Sequence, residues 1–346
     1  MRRLFMAILL LFSIVAPWGT TPFAHAAATT NLTFNHTRLF YYQEGKLARE
    51  SLFAHYQSID VFAPMAYAFD ESGTLTGGVK PDVLEFVKSH HIKIMPLVTN
   101  GSFSPAVSRA LLIDPVKQEA AIAALIAEAK KQDYWGWQFD FEQMDASSRE
   151  QFSAFVHKAA DEMRANNLTV SVAIIAQISE NPSDYPKDLW QKTIGVYDYQ
   201  ALASSTDFLS LMSYDDPYSK GPVVEYAWLK KVIDYSLQSI PHDKLSLGIP
   251  LYYWQWNDTT GKRIGIGGRK GIYNVFKNHR VTVHYSVEHE SPYLTYWQRA
   301  KKYIIWYENA RSVEQKISLI KKYNLHGFSA WALGLELPTI YNVIKK

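Results

Sequence analysis

Trp135-Gly136-Trp137-Gln138-Phe139-Asp140-Phe141-Glu142 alternates strictly between aromatic and polar side chains from residue 137 on. Side chains on a β-strand point to opposite faces with a period of two. Gln138, Asp140 and Glu142 therefore share one face, and Trp137, Phe139 and Phe141 share the other. The aromatic face suits packing against helices. The polar face then points into the interior of a sheet closed on itself, where a carboxylate is expensive unless it is paired or functional.

Working outward, short β-branched or aromatic runs recur at 39–42, 60–67, 92–99, 135–141, 168–178, 208–214, 245–252 and 327–332. Helical patterns lie between them. Eight such runs are the count of an α/β protein of the (β/α)8 TIM-barrel class. The clearest helical pattern covers 148–163, where Phe152, Phe155, Val156, Ala159 and Met163 fall on one face. Ser148 followed by Gln151 reads as a capping box. A second pattern covers 114–130, with Ala121, Ile122, Leu125, Ile126 and Ala129 as its stripe, and a third covers 313–322. The interval of about 253–311 breaks the rhythm. It holds a Gly- and Lys/Arg-rich loop at 261–271 and alternating segments at 281–287 and 303–307. It reads as a small β-rich insertion between strand seven and the last helix.

Composition narrows the function. The 346 residues carry a formal charge of +3, too small and diffuse for a dedicated nucleic-acid binder. The absence of cysteine excludes disulfides, thiolate metal sites and cysteine catalysis. Aromatics at 14% fit a carbohydrate cleft or simply a large core. At the N-terminus Arg2 and Arg3 precede an apolar run, then Pro17 and Ala24-His25-Ala26. This is the order of a secretory signal peptide covering 1–26, with an uncleaved anchor as the alternative. The barrel domain is then expected over 34–346, secreted or associated with the cell wall, without stable membrane insertion, and monomeric.

In a barrel of this class the active site lies at the C-terminal ends of the strands, and Glu142 ends strand four. Two acids on one inward face raise at least one pKa, which keeps a proton available for general acid catalysis. The plain alternative is a carboxylate satisfying a buried network.

The segment ending in Asp140-Phe141-Glu142 resembles the catalytic strand of family 18 glycoside hydrolases, whose pattern ends in Asp-x-Glu. Leu211-Met212-Ser213-Tyr214-Asp215 resembles that family's sixth strand, Leu247-Gly248-Ile249-Pro250-Leu251-Tyr252 its seventh, and Phe328-Ser329-Ala330-Trp331 its eighth. The tail from Trp306-Tyr307-Glu308 through Lys316 to Gly334 is similar to the branch associated with bacterial cell-wall and spore-coat lysis. The resemblance implies hydrolysis of β-1,4 bonds in N-acetylhexosamine polymers, peptidoglycan or chitin, with no metal and no organic cofactor. It implies Glu142 as general acid and base, Asp140 orienting the substrate's acetamido group, and Tyr214 beside them. Asp215, Met212 and Trp331 would bind the sugar. The family has acids where this chain has Gln138 and Trp135. Gln138 can donate a hydrogen bond to Asp140 but cannot share a proton as an acid would. Tyr41, Tyr67, Gln177 and Tyr252 also end strands and are candidates to line the cleft. Glu308 reads as a structural partner near the rim, and His90-His91 as packing or solvent-facing. Lys262, Arg263, Arg269 and Lys270 read either as a solvated loop or as a contact to an anionic wall polymer. A non-catalytic, lectin-like protein on the same barrel is the alternative function; retention of Glu142 speaks against it.

Overall fold

The computed structural model describes residues 36–345. The expected signal peptide lies outside the described residues. Eight parallel strands close into a barrel. They are Thr37–Tyr42, Val61–Phe69, a third in two pieces (Lys93–Ile94 and Leu97–Thr99), Gly136–Asp140, Thr169–Ile175, Phe208–Met212, Leu245–Pro250 and Gly327–Trp331. Each pairs with its sequence neighbour, and the first closes the ring by pairing with the last, Thr37 opposite Gly327. The expected single run at 92–99 is broken at Met95-Pro96. Proline has no N–H to give a ladder, and the Pro96 carbonyl instead accepts from the Gln138 amide at 3.0 Å.

The alternation of strand four holds. Trp137, Phe139 and Phe141 are fully buried outside the ring. Trp137 donates its indole N–H to the Leu125 carbonyl at 3.0 Å. Phe139 and Phe141 pack on Phe152 and Phe155 of the helix Arg149–Ala165, with centroids 5.5–6.1 Å apart. Burying each such ring is worth about 1.5–3 kcal/mol, so this seam fixes the inward direction of the polar face. The expected capping box at Ser148 does not form: Ser148 makes no side-chain cap. A short 3₁₀ turn, Ala146–Ser148, precedes the helix, and Asp145 caps that turn instead. Asp114 caps Pro115–Gln132. A true capping box, Asn309 with Ser312, starts Ala310–Tyr323.

The barrel interior is filled in layers. Leu39, Val61, Met95, Leu97 and Phe208 form an apolar cluster. Trp135 packs there against Phe208, beneath Lys93, whose ammonium is 4.2 Å from the ring centroid. Among the described residues no helix is long and apolar enough to cross a membrane.

The insertion is a five-stranded antiparallel sheet built from Tyr253–Asn257, Lys262–Gly267, Val281–Ser286, Ser291–Gln298 and Lys301–Trp306, with one helix, Arg269–Asn278. The stretch expected as a Gly-rich loop is thus a strand followed by a helix. Gly267 is there for close packing: a Cβ would lie 2.7 Å from the Tyr253 hydroxyl.

Candidate active site

The C-terminal lip of the barrel opens into a cleft of ≈ 410 Å³. Asp140, Glu142, Tyr214 and Asp215 line it, together with Tyr41, Met212, Tyr252 and Trp331. Strands one, four, six and eight and the loop after strand seven therefore deliver nearly all the expected residues to one place. Asp140 is 3% exposed, Glu142 is half-buried, and Asp215 stands at the solvent side. The ring of Trp331 lies 5.2 Å from that of Tyr41, tilted by 54°. Tyr214 meets Tyr252 edge-on at 6.2 Å. The Tyr252 hydroxyl donates to Asp215 Oδ1 at 2.7 Å. Gly248 makes room for this wall, because a Cβ there would come within 2.4 Å of the Leu211 carbonyl and 3.0 Å of the Tyr214 ring.

Three expected residues sit elsewhere. Tyr67 does not reach the cleft. Strand two shifts register against strand three between Met65 and Tyr67. Such a bulge turns the next side chain to the other face. The Tyr67 hydroxyl points outward, bonded to Glu128 at 3.0 Å and Tyr134 at 2.8 Å. Gln138 is fully buried beneath the floor and does not donate to Asp140. Its amide gives both protons to Ser171 and Ser210 Oγ, at 2.9 and 2.8 Å, and its carbonyl oxygen accepts from the Tyr41 hydroxyl at 2.7 Å. Ser210 continues through Ser329 to Ser246. Asp140 Oδ1 is left buried with no hydrogen-bond partner. Gln177 is buried and bonded to the Ile194 and Tyr197 carbonyls, away from the cleft.

The electrostatics follow from this burial. Loss of solvent, and next the charge of Glu142, hold the Asp140 carboxyl well above the usual range. Burial, and next the charge of Asp215, push Glu142 up to about 7. Partial loss of solvent around its carboxyl also raises Asp215, exposed though the residue is, against the lowering effect of the Tyr252 hydrogen bond and the Arg263 charge. Glu308 forms its expected structural pair, with both carboxylate oxygens on Lys316 Nζ at 2.8 and 2.9 Å, fully enclosed.

Residues not anticipated complete the site. Asn100, at the end of strand three, is fully buried. Its Oδ1 accepts from the Glu142 amide at 3.0 Å, and its Nδ2 donates to the Glu142 carbonyl at 2.9 Å. The Tyr197 hydroxyl holds the Phe141 carbonyl at 2.7 Å. Gln43, Ile266, Gly267 and Leu335 add to the cleft wall, the middle two from the insertion. Nothing in the sequence pattern marks Asn100, whose role depends on a contact 42 residues away.

Two raised carboxyls, one above the other, and aromatic walls on a barrel lip make a site suited to glycoside hydrolysis. The family model for Glycosyl hydrolases family 18 matches residues 37–336, and the chain belongs to that family. It is 24% identical over 305 residues to the uncharacterized glycosylase YvbX of Bacillus subtilis, covering 86% of this chain and 87% of that protein. It is 27% identical over 301 residues to the cortical fragment-lytic enzyme of the same species, covering 81% and 68%. The crystal structure of a chitinase from Chromobacterium violaceum superposes with a TM-score of 0.78 at 27% identity, covering 90% of this chain and 98% of that one.

Proposed function

We propose that the protein hydrolyses β-1,4 bonds following N-acetylhexosamine units, with Glu142 as the general acid and base. The observation that carries this reading is the shared inward face of Asp140 and Glu142 at the lip, with both carboxyls raised. In the first step Glu142 gives its proton to the glycosidic oxygen as that bond to the anomeric carbon breaks. The substrate's acetamido oxygen attacks the same carbon from the opposite face and closes an oxazolinium ion. Asp140, whose Oδ1 has no protein partner, receives the acetamido N–H and stabilises the positive charge that develops there. Glu142, now ionised, takes a proton from water as the water opens the ring, and the original anomeric configuration returns. Family 18 is a recognised exception to the two-carboxylate scheme. Tyr214 and Asp215 hold the ring substituents, Trp331 stacks on the apolar sugar face, and Met212 walls the pocket.

The similarity to a cortical fragment-lytic enzyme supports a bacterial wall glycan as the polymer, and that to a chitinase supports N-acetylglucosamine chains as a workable assay substrate. The N-terminal pattern supports export. The test is release of reducing ends from N-acetylglucosamine oligomers and from purified peptidoglycan, beside Glu142→Gln. Loss of activity in the variant, with the product's anomeric configuration retained in the native enzyme, is expected. Unchanged activity in the variant overturns the assignment.

A further inference from the structure

Charge is strongly segregated in this molecule. Residues 253–311 hold ten Lys and Arg against four Asp and Glu, a formal +6. The remainder of the chain holds 26 against 29, a formal −3. Four of the ten cations are engaged. Arg263 lies over Trp254 at 4.0 Å and Arg311 over Tyr285 at 3.5 Å. Arg269 faces the buried Glu336 at 3.5 Å, and Lys302 pairs with Asp258 at 2.9 Å. Lys262, Lys270, Lys277, Arg280, Arg299 and Lys301 are exposed and have no acidic partner among the described residues.

Sheet register gathers most of these at one end. Lys262 stands opposite Asn257, Lys301 opposite Gln298, and Trp297 opposite Lys302. Arg280 immediately precedes Val281, which stands opposite Tyr296. The hairpin between Gln298 and Lys301 turns on Arg299 and Ala300, with φ of 49° and 60°. Two-residue turns of this hand favour Asn-Gly. An L-residue in that region costs about 1–2 kcal/mol, so a guanidinium is presented at the tip at some cost in stability. Trp297, 64% exposed, stands opposite Lys302 and so on the other face of the sheet from Lys301 and Lys262.

We infer that this end of the insertion sheet is a docking surface for a linear phosphate-bearing polymer, such as a poly(glycerol phosphate) chain of a cell wall. The cations sit on the ends of four of the five strands, with the strand Tyr253–Asn257 between Lys262 and the rest, a row roughly 19 Å wide at about 4.8 Å per strand. Such a row along the strand ends matches several phosphates of one linear chain. A bilayer would call for a continuous apolar face, whereas the exposed apolar side chains of this sheet are divided, Trp297 and Val283 standing on opposite faces. The surface is separate from the cleft and acts whatever glycan is cut.

The test uses the full chain carrying Glu142→Gln, so that binding is read without turnover and independently of the glycosidase assignment. Binding of fluorescent poly(glycerol phosphate) is followed by anisotropy from 50 to 300 mM salt. With three phosphates engaged, log affinity should fall with log salt at a slope of about −2. Arg280→Gln/Arg299→Gln/Lys301→Gln should weaken binding at least about tenfold and flatten the slope. The charge-matched control Lys187→Gln/Lys230→Gln/Lys322→Gln should retain affinity. Equal loss in both triple variants, salt-independent binding, or capture by phosphatidylglycerol vesicles without binding of the polymer would each overturn the proposal.

Discussion

Asp215→Asn isolates the electrostatic part of Glu142's raised proton affinity. As the proposed acid Glu142 must carry its proton, so kcat/KM should fall as pH rises through about 7, the value to which its carboxyl is pushed. Burial is the larger cause of that value and the Asp215 charge the smaller. The whole rise from the ordinary value of about 4.3 to about 7 is under about 3 units, and the lesser of its two causes supplies less than half of it, roughly 0.5–1 unit. Asn keeps an oxygen for the Tyr252 hydroxyl, so the wall stays in place. The descending limb should therefore move to lower pH by roughly 0.5–1 unit while remaining well above the ordinary glutamate value of about 4.3. The assay is kcat/KM on a soluble N-acetylglucosamine oligomer between pH 4.5 and 9 at constant ionic strength. Because Asp140 and Glu142 interact, the limb belongs to the pair. A limb that stays put or moves upward would refute the role of Asp215. A limb near 4.3 in the native enzyme would refute the enclosure of Glu142.

Other outcomes follow from single contacts. Asn100→Ala removes both bonds to the Glu142 backbone and should lower kcat about 10- to 100-fold with a smaller change in KM, measured by steady-state kinetics. Gln138→Leu strands the Tyr41 hydroxyl and leaves Ser171 and Ser210 short of a donor; urea denaturation should show a loss of about 2–4 kcal/mol. Lys316→Met leaves Glu308 buried and unpaired and should cost about 3–5 kcal/mol, read from thermal melts at pH 7.

Much of the fold was legible because its signals are local. Alternation in 135–142 settles which face of strand four looks inward, and the helix stripe from Phe152 to Met163 is buried as its spacing predicts. The errors arise where a distant partner or a local irregularity decides. Tyr67 has the parity of an inward residue until the register shift after Met65 reverses it. The bond expected from Gln138 to Asp140 is lost to two serines on other strands. Ser148 yields its cap because Asp145 begins the turn three residues earlier. Asn100 has no local signature at all, since its value lies in reaching the backbone of another strand.

Ile266, 65% exposed, and Gly267 put an edge of the insertion beside the carboxylates without belonging to the barrel. The chemical step and the outline of the opening are therefore written in different stretches of chain. Replacing that edge offers a way to change which polymers fit, while Asp140, Glu142 and their scaffold stay untouched.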